Sequence, residues 1–434
     1  MSVGAGRSTA GVAPAGGGTW TPALIATLAL GLAGAAILRL LLLPTEGLPG
    51  DLDVFALWTH LLAMGVPLDR IYEHGLSFGP VMAYLFWAIG HLQAAFQTAT
   101  DAADPTVRIW LKIPASTADI AIALVIAYAL KDRPRIAVAS ALALSFVPVT
   151  WYLSAFWGQS ESIYTLFGLL AAVLALRGRW ALAGVMLGLA LGTKPQAIPF
   201  VVPLAAYAVA RIGVRRAALP VAATAATLVL LWLPFLAAGG PVAYLRSAFA
   251  YQGETFAILS LRAWNPWWIL QSLATAGDGL LAYTGAIVGP LTPRLLGYAA
   301  AAVGLALVFV ALRRRPTGNA LYLALAASVL VAYCLLTAMH ERYAYPAVVF
   351  LALLLADRRI LVAWVVLVVA TSANYLAAAP PGGGPGSLVP LGGPVGIVGS
   401  LAITCVAVYV LAILVRGTPD RSDEATTTPA IPSA

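Results

Sequence analysis

Between Trp20 and Arg416 the chain is a succession of apolar runs, many of them close to the roughly 20 residues that cross a bilayer as a helix. The turns between them are short and carry most of the charge. Of the 434 residues, 61% are hydrophobic and only 10% charged, and the mean hydropathy is +0.90. A soluble domain carries about 25% charged residues, so a soluble enzyme, a nucleic-acid binder and a disordered scaffold are all disfavoured. The net charge of +8 does not reverse this: 22 of the 25 cations are Arg, scattered between apolar runs rather than clustered on one wet face. Cys334 and Cys405 lie inside apolar runs and read as neither disulfide partners nor zinc ligands. Long aliphatic runs exclude an outer-membrane barrel, whose strands alternate over about ten residues. The expected class is an all-α, polytopic integral membrane protein.

Residues 1–19 are Gly/Ala/Ser-rich and 416–434 Ser/Thr/Pro-rich, and both read as disordered tails around a membrane domain at 20–415. Twelve spans are expected, near 20–43, 108–130, 135–152, 161–176, 180–193, 196–210, 217–236, 295–312, 319–338, 343–356, 359–379 and 394–415. The run 80–97 is placed along the surface as a juxtamembrane helix. With that choice one set of turns holds 16 cations, among them Arg133, Arg177, Arg313 and Arg358, against 8 on the other side. The cation-rich side is expected to be cytoplasmic, with both termini. Acidic residues sort the other way, and so do the two long connections, 44–107 and 237–294. A functional face toward the outside of the cell (inner) membrane is the natural reading.

Five polar clusters fall on that outer side. Asp51 and Asp53 follow the first span; a carboxylate at the lip of a bilayer suits a general base, although the pair could simply cap the next helix. Trp157, Gln159 and Glu161 lie in one outer turn, and Lys194 with Gln196 ends another span. A lone Lys there runs against the positive-inside bias, and a bound phosphate would explain it; snorkelling to water is the bland alternative. Met339-His340-Glu341-Arg342-Tyr343 brings together a carboxylate, a proton donor and a cation able to grip phosphate in a bidentate way. Asn265 and Trp267 sit among clustered tryptophans that could stack on a sugar ring or float at headgroup level. The chain lacks a P-loop, a dinucleotide fingerprint, His/Cys metal spacing and a G-x-S-x-G elbow.

In their order these motifs resemble the GT-C glycosyltransferases, and most closely bacterial mannosyltransferase-like proteins related to GPI mannosyltransferase II. Asp51 followed by Phe55 and Trp58 is similar to the family's D-[IL]-x-x-F-x-x-W. Trp157-Gly158-Gln159 with Glu161 matches W-G-Q-x-[DE], and Lys194-Pro195-Gln196 matches its K-P-Q. Trp264-Asn265-Pro266-Trp267 resembles A-x-N-x-W, and Met339–Tyr343 resembles M-H-E-R-Y. The resemblance implies a sugar, mannose by preference, carried on polyprenyl phosphate to a hydroxyl of a glycan, glycolipid or protein, with inversion at the anomeric carbon. It implies Asp51 as proton acceptor, with Asp53 a second candidate carboxylate. Lys194, His340 and Arg342 would bind the donor phosphate. Trp157, Gln159, Glu161, Gln196, Asn265, Trp267, Glu341 and Tyr343 would contact substrate. No cofactor is required, though the outer carboxylates could bind a divalent metal. Two alternatives stand beside it: a flippase for a lipid-linked sugar, for which Asp119 is the one in-span acid, and a non-catalytic subunit of a glycan-assembly complex.

Overall fold

The computed structural model describes residues 18–48, 50–250, 257–275, 291–382, 384 and 386–417. Nearly all of both expected tails lies outside these residues, as do 251–256 and 276–290 of the expected outer connection 237–294. The described chain is helical almost throughout; its strands are a two-residue parallel pair, β1 (Ser260–Leu261) and β2 (Met339–His340).

Seven helices are long and apolar enough to cross a membrane, and an eighth arises if Pro134–Phe146 and Pro148–Trp157, bent by 51°, are one span. This mostly helical, multi-pass architecture fits a lipid bilayer environment. The dozen expected runs exceed that number because several form shorter helices: Glu161–Leu176, Trp180–Thr193 and Tyr345–Ala352 have 16, 14 and 8 residues. Proline explains part of the shortening, since Pro148 and Pro195 restart helices after residues driven out of the α region. The run 80–97 forms the helix Pro80–Leu92 followed by a short turn.

The expected runs 196–210 and 217–236 join in Val201–Trp232, broken at Gly213, whose φ of 76° and ψ of 161° are open to glycine and unfavourable for other residues. The chain reverses there. Tyr207 stacks near Trp180, at the start of the helix Trp180–Thr193, with ring centroids 6.0 Å apart. Thr227 and Leu231 then climb that same helix toward its end, facing Gly188 and Gly192. The glycines allow this closeness: a Cβ at Gly184 would stand 2.2 Å from the Pro220 carbonyl oxygen. Behind these elements the helix Gly318–Leu335 is buried along nearly its whole length and forms the centre of the core.

The connection 44–107 folds as a helical cap. Helices Asp51–Ala63 and Pro80–Leu92 close around Phe55, Trp58, Phe78 and Phe86, whose ring centroids lie 5.3 to 6.5 Å apart. Gly79 N–H donates to the Thr193 carbonyl at 3.0 Å, which seats this cap beside Lys194.

One buried charge pair ties the bundle together. Arg39 of the first helix donates to Asp119 Oδ2 from Nε at 3.3 Å and from Nη2 at 3.1 Å. Ser154 also donates to Oδ2 at 2.5 Å, while Ser162 and Tyr345 donate to Oδ1 at 2.7 and 2.5 Å. Both side chains are at most 3% exposed. Together these donors occupy the lone-pair directions of both Asp119 oxygens. Removing one partner of a buried pair leaves an unpaired charge, at a cost of about 3–5 kcal/mol. Arg39→Met is therefore expected to lower the unfolding midpoint in detergent sharply, and Arg39→Met with Asp119→Leu to recover much of the loss. A double variant no more stable than the single one would show that the pair's geometry, rather than its charge, holds the helices.

Candidate functional site

Four of the sequence clusters, spread over nearly 300 residues, meet at one end of the bundle. The turn carrying Trp157 and Gln159 is built locally. The Tyr152–Trp157 stretch winds wider than an α-helix, so that Gly158 N–H and Gln159 N–H both reach the Leu153 carbonyl, at 3.0 and 2.9 Å. Gly158 adopts φ 89°, and a Cβ there would press on Leu52 Cδ2 at 2.6 Å. The turn thus aims both side chains at one carboxylate oxygen. Asp51 Oδ2 accepts from Trp157 Nε1 at 2.9 Å and from Gln159 Nε2 at 2.7 Å. Asp51 Oδ1 has no protein partner among the described residues.

Beside it lies a chain of ion pairs. Glu161, fully buried at the start of its helix, accepts from Lys194 Nζ at 2.5 Å and lies 3.5 Å from Arg342 Nε. Arg342 Nη1 donates to Glu341 Oε1 at 2.9 Å and to His340 Nδ1 at 3.1 Å. A guanidinium can only donate, so His340 Nδ1 is the acceptor and its proton resides on Nε2. Aromatic faces hold the cations: Lys194 lies 5.3 Å from the Phe78 ring centre and 5.4 Å from that of Tyr343, and Arg342 lies 5.4 Å from that of Trp157.

Burial decides the charges. His340 is held well below the usual imidazole value by desolvation and by Arg342, Lys194 and Arg262, so it is neutral near pH 7. Burial lowers Lys194 against the pull of Glu161, and raises Glu341 against that of Arg342. Arg342 is driven in the opposite sense: burial disfavours its charge, but Glu341, Asp51 and Glu161 outweigh it and raise its value.

The cluster also carries unusually many buried polar atoms without a hydrogen-bond partner among the described residues: Gln159 Oε1, Ser160 Oγ, Glu161 Oε2, Tyr164 OH, Gln196 Oε1 and Tyr375 OH. Buried polar groups are satisfied in the large majority of cases. A set of six in one region suits a ligand, or ordered water, rich in hydroxyl donors and acceptors.

Three expected site residues serve the scaffold instead. Asp53 Oδ2 accepts from Gly50 N–H and its Oδ1 from Ala102 N–H, both at 3.0 Å, so it caps its helix and pins the far end of the cap. Asn265 is buried with both amide atoms engaged: Oδ1 accepts from Trp268 N–H and Nδ2 donates to the Tyr333 carbonyl. Trp267 Nε1 donates to the Leu335 carbonyl at 2.9 Å, and its ring packs with Leu259 and Ala338. Conversely, Tyr375, whose ring meets Trp157 edge-on at 6.1 Å, borders the cluster with Tyr164, Phe78 and Arg262, none of them a site residue expected from the sequence. For Tyr375 a signal existed: Thr371, Ser372, Asn374 and Tyr375 form a polar knot within an otherwise aliphatic run.

At the opposite end of the helix Glu161–Leu176, the turns carrying Arg133, Arg358 and Arg359 line a cavity of about 960 Å³. The acid-rich and arginine-rich turns of the sequence therefore segregate to two ends of the molecule. Among the described residues no group of three or more His, Cys, Asp or Glu side chains is placed to hold a metal ion. No protein-family model matches the chain, and no curated protein does.

Scaffold and site residues separate in stability measurements. Asp53→Ala and Asn265→Ala each remove a helix cap, and each is expected to cost about 0.5–2 kcal/mol in thermal unfolding. Asp51→Asn keeps a side chain of the same shape and is expected to stay near the wild-type midpoint. Equal losses for all three would place Asp51 in the scaffold as well.

Proposed function

We propose that the protein is an inverting glycosyltransferase of the GT-C type, moving a sugar, mannose by resemblance, from polyprenyl phosphate to an acceptor hydroxyl at the outer face of the cell membrane. Twelve crossings with both termini cytoplasmic belong to the same reading. The observation that carries it is the meeting of Asp51, Glu161, Lys194 and Arg342 in one poorly solvated cluster, in which a carboxylate with one uncommitted oxygen stands beside two cations. Asp51, oriented through Oδ2 by Trp157 and Gln159, receives the acceptor's proton at Oδ1. The acceptor oxygen attacks the anomeric carbon, and the bond to the phosphate oxygen breaks on the opposite face. The lipid phosphate leaves with the electron pair, and preorganised positive charge stabilises it far better in such a site than in water. The unpartnered oxygens of Gln159, Glu161 and Gln196 suit the hydroxyls of a pyranose.

The test is transfer from radiolabelled polyprenyl-phosphate mannose by purified protein in liposomes, supplied with a membrane-glycolipid and protein extract. Asp51→Asn is expected to bind donor normally and lose transfer by at least about 100-fold, the scale of a general base. Label carried between leaflets without transfer would favour the flippase reading, and no donor binding would remove both.

The Lys194 direction sets a pH dependence. The ammonium form is the one needed, and its pKa lies below the ordinary lysine value because burial lowers it. Activity is therefore expected to fall as pH rises through that lowered value. Lys194→Arg, which cannot deprotonate there, should retain activity further into alkali. An alkaline limb unmoved by this substitution would assign it to another group.

A further inference from the structure

The cluster's own cations are compensated. Three carboxyl groups, Asp51, Glu161 and Glu341, stand against two cations, Lys194 and Arg342, and each cation lies within 2.9 Å of a glutamate oxygen. A phosphate approaching this group alone would meet no surplus of positive charge. His340 does not supply it, being neutral.

Arg262 differs. Among the described residues it forms no ion pair, and its guanidinium makes one marginal hydrogen bond, of 3.5 Å, to the Ala378 carbonyl. It sits at the end of β1, bridged to His340 across the strand pair, which places it beside the ion-paired cluster. Its φ of 65° is one of two positive values at non-glycine residues in the described chain; the other, 57°, belongs to Ala338 at the entry to β2. Such a backbone is unfavourable for an L-residue and persists only where its surroundings enforce it.

The enforcement is visible. Asn374 Nδ2 donates to the Arg262 carbonyl at 2.9 Å, and Asn374 Oδ1 accepts from Trp264 N–H at 3.0 Å. Ser260 Oγ donates to the Ala263 carbonyl at 2.8 Å, and the Gln271 amide clasps both backbone groups of Ser260. Ser260, Gln271 and Asn374 are all fully buried. This buried polar clamp fixes the backbone from which the Arg262 side chain departs.

We infer that Arg262 is a phosphate-binding residue of this site, contacting the phosphate ester of the lipid-linked donor from the His340 side of the cluster. The inference rests on the lipid-phosphate donor reading above. It adds to Lys194 and Arg342, which also hold the carboxylates, a neighbouring cation with no acidic partner among the described residues. The competing structural role is a cap on Ala378, at the carbonyl end of the helix Arg358–Ala378.

The test uses the full chain in neutral detergent, titrated with decyl phosphate and, in parallel, with decanol and inorganic phosphate, read by tryptophan fluorescence. Variants are Arg262→Gly, which accepts the positive φ and removes the guanidinium, and Arg262→Lys, which keeps the charge. The wild type is expected to bind decyl phosphate and not decanol. Arg262→Gly should weaken that binding by at least about tenfold, the scale of a charge-assisted hydrogen bond, and Arg262→Lys should lose less, with unfolding midpoints near wild type. Equal affinity in wild type and Arg262→Gly would overturn the inference while leaving the donor reading intact, and a lowered midpoint with unchanged affinity would return Arg262 to the helix cap. Inorganic phosphate bound as tightly as the alkyl ester would overturn the lipid ester as its ligand. Absence of any alkyl-phosphate binding in the wild type would remove the donor reading itself.

Discussion

The buried contact between Arg39 and Asp119 organises everything above it. An unpaired charge in such an interior is so costly that the two helices carrying these residues cannot separate without a large loss. The remaining oxygen positions of Asp119 are filled by Ser154, Ser162 and Tyr345. Each of these lies a few residues from a site residue: Ser154 before Trp157, Ser162 after Glu161, and Tyr345 after Arg342 and Tyr343. The node thus fixes, from beneath, the three segments that deliver the upper cluster, and the cap helix brings Asp51 down onto them.

The upper cluster has a different character from the node. Asp119 is satisfied on all sides, as a structural charge should be. The cluster at Asp51, Glu161, Lys194 and Arg342 retains oxygens without a partner among the described residues and has strained neighbours, and its histidine is kept neutral by burial and then by the surrounding cations. Incomplete satisfaction is tolerable where a ligand completes the set, and this contrast separates the two polar regions of the molecule by role.

Much of this was legible in the chain. Apolar run length and scarcity of charge implied helices in a bilayer, and the separation of arginines from carboxylates implied two chemically distinct ends. Asp51, Trp157, Gln159, Glu161, Lys194, His340, Glu341, Arg342 and Tyr343 could be picked out because polar residues are conspicuous against an aliphatic background. Asp53, Asn265 and Trp267 were conspicuous for the same reason yet cap or anchor helices, because a polar residue at a helix end serves either role and local spacing does not distinguish them. Arg262 is not distinguished in the sequence from the other outer cations, because its positive φ and its lack of an acidic partner among the described residues are properties of the fold.

The sequence by itself determined the class of solvent this protein can occupy, its helical character and the sorting of charge between its two ends, because these follow from composition and period along the chain. Tertiary structure alone decided which charges pair. Arg39 meets Asp119 across 80 positions, and Lys194 meets Glu161 across 33. Such partnerships depend on helix direction, on breaks such as Gly213 and on close glycine packing, all of which act in space. The same fold leaves Arg262 without an acidic partner among the described residues and buries His340 beside cations that keep it neutral, so the electrostatics of the site belong to the fold rather than to any single motif.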